Sequence, residues 1–227
     1  MTRILFHGGT LFDGSTSEPT IGDVVVDSGR IVDVGVGLDG DESVDCTGKW
    51  LSPGFFDCHV HVTMDGVDLM DRLISPFSLS FYRAAINLKK TLDIGITSIR
   101  DAAGAYLGVK EAVERGLIPG PRMQIAISMV SQTGGHGDSW EACGAHMPTS
   151  VPHPGRPNAV VDGPDEVRKK VRELIRNGAD VIKVATSGGV LSARDNPQHA
   201  HFRNAEIAVM VEEATAAGIF VMSHAQA

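Results

Sequence analysis

Cysteine is scarce in this chain. Cys46, Cys58 and Cys143 are odd in number and form no C-x-x-C, which speaks against a disulfide framework and a thiolate zinc site. Three reduced thiols in a cytoplasmic protein are expected instead. Basic charge is also short: 20 Lys and Arg stand against 28 Asp and Glu, a formal net charge of -8 with no basic run. Neither nucleic acid nor an anionic membrane is therefore expected as a partner. Long apolar runs are missing. No stretch reaches the length that spans a bilayer, and Met1 to Phe6 is too short for the apolar core of a secretion signal. What remains, 227 residues with 42% hydrophobic and 21% charged, is an ordinary soluble composition with a small molecule as the expected partner.

From Arg3 to about Ser52 the pattern is short strands and tight turns, with Ser28-Gly29 as a two-residue hairpin signal. This predicts a small β-sandwich unit over residues 1–53. Gly35-Val36-Gly37-Leu38-Asp39-Gly40 matches G-x-G-x-x-G, but Asp41 to Lys49 offers no helix to follow it, so a dinucleotide site is not expected. From residue 54 the rhythm changes to strand, helix, strand. Strands are expected at about 55–62, 96–101, 122–128, 180–186 and 219–224. Helices are expected at about 76–94, 106–118, 165–177 and 204–217, each stopping near a glycine. Such alternation predicts a parallel sheet covered by helices.

Three places carry chemistry. Pro53-Gly54-Phe55-Phe56-Asp57-Cys58-His59-Val60-His61-Val62 reads as a strand, and on a strand His59 and His61 share a face, about 7 Å apart, so that both can reach one divalent ion. The opposite face, Phe56, Cys58, Val60 and Val62, is apolar and is expected to pack against helices. With 9 His in 227 residues, an H-x-H arises by chance in roughly one such chain in three. A second pair, His199-Ala200-His201, lies in loop composition where nothing fixes both rings on one face.

Lys183 sits in the middle of the apolar run Asp180-Val181-Ile182-Lys183-Val184-Ala185, where an ammonium is costly unless compensated. An ion pair, a Schiff-base amine and a carbamate formed with carbon dioxide are all open. His224 ends the fifth strand. The long connection from Met129 to about Pro164 leaves the third strand at the same end, and within it Thr133-Gly134-Gly135-His136-Gly137-Asp138 could present backbone N–H groups and one imidazole to a ligand.

An N-terminal β-unit, then Pro53 to His61, then Lys183, then His224 is an order that resembles the amidohydrolase superfamily of metal-dependent (β/α)8 TIM-type barrel hydrolases. Thr133 to Asp138 and Gly178 to Gly189 are similar to its branch of Xaa-Pro dipeptidase and carboxypeptidase-like enzymes, relatives of imidazolonepropionase. The resemblance implies that residues 54–227 form about the first half of such a barrel. It implies that His59 and His61 bind one metal, that carboxylated Lys183 bridges two, and that His224 binds the second. The ions would be zinc, with manganese or iron as alternatives. His136 would act at the substrate carbonyl or carboxylate, with Asp57, Arg100 and Asp101 behind the ligands.

The implied reaction is hydrolysis of an amide or peptide bond in a dipeptide or N-acyl amino acid, by a hydroxide shared between the ions. The family's further His on the sixth strand and Asp on the eighth have no counterpart in these residues. A longer parent, or a homo-oligomer, is expected to supply them and to cover the first and fifth strands. Two other readings remain: a Schiff-base lyase using Lys183, and a barrel relative with a structural role.

Overall fold

The computed structural model describes residues 2–15, 18–148, 153–190, 192 and 195–227; residues 149–152 of the long connection lie outside them. The chain divides into two units, Met1–Gly54 and Phe55–Ala227. In the first, β1 (Ile4–Leu11), β2 (Thr20–Asp27), β3 (Arg30–Gly35), β4 (Glu42–Asp45) and β5 (Trp50–Leu51) are joined by hydrogen bonds. Their order is β3-β2-β1-β4, with β5 also paired to β1, so the sandwich expected from the sequence is one continuous sheet. Ser28 and Gly29 turn β2 into β3 with φ of 52° and 73°, the doubly left-handed geometry of a two-residue hairpin. The Gly35 to Gly40 motif runs on toward β4. Gly37 and Leu38 donate their N–H groups to Asp23 Oδ2 at 2.7 and 3.2 Å, and Gly8 donates to Oδ1 at 2.9 Å. The glycine run wraps a carboxylate of its own sheet.

The second unit holds β6 (Phe55–Val60), α1 (Leu69–Ile74), α2 (Leu79–Asp93), β7 (Ile96–Asp101), α3 (Leu107–Glu114), β8 (Arg122–Ile125), β9 (Met129–Val130), α4 (Gly163–Arg176), β10 (Val181–Ala185), α5 (Asn204–Ala216) and β11 (Phe220–His224). Every pairing among these strands is parallel. They fall into β6-β7-β8 and β11-β10-β9, because the third strand expected over 122–128 breaks at Ile127, whose φ is 66°. Arg122–Ile125 pairs with β7, and pairing resumes past the expected range at Met129–Val130, with β10. Asp180 spans the break: Oδ2 accepts the Ile125 N–H at 2.9 Å and Oδ1 accepts from Lys110 Nζ at 2.7 Å. The result is the first five strands of a (β/α)8 barrel with helices on the outside.

Helix α4 shows why the helices dock. Val167, Val171 and Leu174 recur at helical spacing and are fully buried, while Arg168 and Arg172 on its flank both hold Glu213 of α5. Burying three such side chains contributes about 5–8 kcal/mol. All five residues of β10 are buried. At the edges the expectation for β6 needs correction: Val62 is buried, but Cys58 is exposed and Phe56 is 73% exposed, because β6 has a strand on one side only. All three cysteines are free. Among the described residues no helix is long and apolar enough to cross a membrane.

Candidate metal and substrate site

Strand register decides what reaches the site. In parallel β10 and β11, Lys183 lies beside Met222 and Ala185 beside His224, and the end of β6 brings up His59 and His61. These four residues and His136 line one cavity of about 340 Å³. The His59 and His61 rings are 5.4 Å apart, edge to face. The His136 and His224 rings stack at 4.6 Å.

His61 and His224 are each held so that one ring nitrogen is spoken for. His61 Nδ1–H donates to the Ala103 carbonyl at 2.7 Å, which leaves Nε2 with its lone pair. His224 Nε2–H donates to the Gly188 carbonyl at 3.1 Å, which leaves Nδ1. Behind His61 stands Asp101, 0% exposed. It accepts from Val62 N–H at 2.8 Å, Ala103 N–H at 3.1 Å and Ala105 N–H at 3.0 Å. One carboxylate thus fixes both the residue after His61 and the residue whose carbonyl orients it. Ala103 sits at φ 150°, a conformation rare for a residue with a side chain and held here by those bonds.

Lys183 is 1% exposed, and its Nζ has no hydrogen-bond partner. No carboxylate lies within ion-pair distance of it among the described residues, so the ion-pair reading of Lys183 is set aside. Burial pushes its pKa down, toward the neutral amine that both a carbamate and a Schiff base require. Partial desolvation, then the charges of Lys183, His61 and His224, hold the His59 imidazole below its usual range. A neutral imidazole is the form that ligates a metal.

The remaining expected residues fall elsewhere. Asp57 Oδ1 accepts the N–H of His59 at 3.0 Å, bracing the strand where its register with β7 shifts. Arg100 Nε reaches across to Gln124 Oε1 at 2.9 Å and takes no part in the cavity lining. Most amides of the loop Thr133 to Asp138 are taken up within the protein. Thr133 N–H goes to Asp162, Gly134 N–H to Asp138, Gly135 N–H to the Gln132 carbonyl and Gly137 N–H to Ser131 Oγ. The loop reaches the cavity with His136, Gly137 and Asp138. Sequence reasoning missed Arg72 and Arg156, which line the same cavity. Arg72 lies on α1, a short helix whose one legible signal was Asp68, the side chain that caps it by accepting from Asp71 N–H. Arg156 lies in the long connection, where periodicity is silent. Arg156 stacks over Tyr106 at 5.6 Å.

Residues 50–227 match the sequence pattern of the Amidohydrolase family. The chain belongs to that family. Divalent metals are general among amidohydrolases. Ochratoxinase of Aspergillus niger is 39% identical over 186 residues, which are 77% of this chain and 38% of that enzyme. A crystal structure of a prolidase complexed with N-methylphosphonate-L-proline has a TM-score of 0.86 at 37% identity, over 99% of this chain and 56% of that one. A Xaa-Pro dipeptidase with methionine bound in its active site has a TM-score of 0.85 at 28% identity, over 98% of this chain and 56% of the other. This amidohydrolase chain spans little more than half the length of those solved relatives. Among its described residues, no three His, Cys, Asp or Glu side chains stand together in a way that could hold an ion. His59, His61 and His224 would hold metal with a further ligand, and the buried, orphaned Nζ of Lys183 in the same cavity is the observation that fits.

Proposed function

We propose that this amidohydrolase cleaves an amide or peptide bond in a small carboxylate-bearing substrate, a dipeptide or an N-acyl amino acid. The observation that carries the reading is the buried Lys183 amine, without a hydrogen-bond partner among the described residues, lining one cavity with His59, His61 and His224. His59 and His61 would hold one divalent ion and His224 a second, with Lys183 as a carbamate common to both. When bound, such ions polarise a carbonyl and lower the pKa of water toward 7. Asp101, through Ala103, keeps His61 in the tautomer that leaves Nε2 available. Arg72 and Arg156 supply positive charge for a substrate carboxylate. Burial, and then the neighbouring Arg156, push the Arg72 pKa down. The similarity to the prolidase solved with N-methylphosphonate-L-proline supports such a substrate.

The exposed Phe55 and Phe56 of β6 and Phe220 of β11 support a further proposal, that additional strands from a longer chain or a second copy cover these edges. The test of function is Lys183→Ala in the metal-loaded protein. Hydrolysis of dipeptides and N-acyl amino acids should be lost together with metal content, and short carboxylic acids should restore part of it. Unchanged turnover would remove the bridging role. The same depressed amine also favours a second reading, a Schiff-base lyase. Borohydride trapping of a carbonyl substrate on Lys183 supports that reading, and a carbamate on Lys183 eliminates it.

A further inference from the structure

We propose that Asp195 is a positioning residue for His136: through Ser192 it fixes the ring proton on Nδ1, so that neutral His136 offers the cavity an acceptor at Nε2. The Ser187-Gly188-Gly189 turn that follows β10 makes this arrangement possible. A Cβ on Gly189 would collide with the His136 ring, and one on Gly188 with the Asp195 carboxylate and the Asn196 carbonyl. The ring and the carboxylate both press against bare backbone, which only glycine allows.

The bonding leaves one proton assignment. The Asp195 side chain is 1% exposed, and its Oδ2 accepts the Gly189 N–H at 2.6 Å and the Ser192 hydroxyl at 2.9 Å. Ser192 Oγ is 2.7 Å from His136 Nδ1. A serine hydroxyl has one proton, and here the carboxylate takes it. Nδ1 must therefore donate to Oγ, and a neutral ring has no second N–H to place on Nε2. Asp195 Oδ2 itself lies 3.5 Å from Nδ1.

On its other side the carboxylate is backed by His201, 5% exposed, whose Nε2 is 3.3 Å from Oδ1 in ion-pair reach without hydrogen-bond alignment. The second H-x-H of the chain is divided by this arrangement. His199 turns to Asn196, while His201 is anchored inward by its N–H on the Thr186 carbonyl. The consequence for chemistry is a change of role. A hydrogen bond donated by His136 to a substrate carbonyl would need the doubly protonated ring. The neutral ring accepts instead, from a substrate N–H or from water.

The reading depends on amide hydrolysis only for its kinetic readout, so its main test is spectroscopic. In protein labelled with 15N-histidine, the His136 ring should show Nδ1 protonated and Nε2 bare. Asp195→Ala frees the Ser192 hydroxyl to donate to Nδ1 and should move the proton to Nε2. Asp195→Asn, which can keep a carbonyl oxygen for Gly189 and Ser192, should restore the original pattern. Where substrate turnover is measurable, Asp195→Ala should lower kcat about 100-fold with KM little changed. A wild-type ring protonated at Nε2 overturns the proposal whether or not the alanine variant folds. So does an Asp195→Ala protein of native circular dichroism whose His136 signals have not moved. Absence of turnover with the expected ring shifts would count against the hydrolase reading and leave this one standing.

Discussion

Asp23 and Asp101 use their oxygens alike, in separate units of the chain. Each carboxylate collects three backbone N–H groups: Gly8, Gly37 and Leu38 for Asp23, and Val62, Ala103 and Ala105 for Asp101. Their pKa values nevertheless move in opposite directions. The Gly8 and Leu38 bonds hold Asp23 below the usual carboxylate value, whereas burial pushes Asp101 above it despite its own three donors and the nearby His61. Exposure separates them, 8% against 0%. The number of hydrogen bonds therefore does not set a buried carboxylate's charge. Loss of water outweighs the donors once the site is closed. Lys183 extends the series to a buried group with no hydrogen-bond partner among the described residues.

The comparison breaks most visibly at Asp101. Asp101→Ala orphans three buried N–H groups and frees the segment that orients His61, so urea unfolding should show a loss of about 3–5 kcal/mol. Metal uptake by His59 and His61 should weaken in the same variant. A loss under about 1 kcal/mol would mean that water replaces the carboxylate and that the site is not closed. Lys183→Met comes next, with the sign reversed. Removing a buried amine that makes no bond should stabilise metal-free protein by about 1–2 kcal/mol, while metal binding is lost. If Lys183→Met destabilises the metal-free protein, the amine has a partner.

The smallest effects are in pH dependence. Asp23 is depressed, so its contribution is fully present above the ordinary carboxylate value of 3.8 and is lost as pH falls through the lower folded value. Asp23→Asn should flatten that acid limb in denaturation curves recorded as pH is taken down from neutral through 3.8 and below. Asp101 runs the other way. The folded state holds its proton more tightly than the unfolded chain, so this group's contribution declines as pH rises from 3.8 through its raised folded value. Asp101→Asn should remove that decline. Identical pH responses from the two asparagine variants would contradict the difference in burial.

Much of the second unit was legible because its elements are periodic. The Val, Ile and Leu runs and the glycine stops placed β6, β7, β10 and β11 and four of the five helices within a few residues. The break in the third strand was not legible. It depends on Ile127 taking a left-handed φ and on Asp180, 55 residues from Ile125, filling the missing ladder bond. His59, His61, Lys183 and His224 could be read as candidates because imidazoles and an amine are conspicuous at strand ends. Arg72, Arg156 and Asp195 could not, since a charged residue in a helix or loop looks like any solvated one until the fold turns it inward. The loop Thr133 to Asp138 misled for a related reason: its composition suggested free amides, and only the contacts with Ser131, Gln132 and Asp162 show that most of them are used up.

By itself, the sequence determined the alternation of strands and helices, the hairpin at Ser28-Gly29 and the set of side chains to consider as candidate cation ligands. These follow from local backbone preference and from spacing along one segment. Only the tertiary structure decided which of those side chains share a cavity, which nitrogen of His61 and His224 is left bare, and whether a buried carboxylate such as Asp101 holds its proton more tightly. Those outcomes depend on how much water the packing of distant segments removes, and no single stretch of chain carries that information.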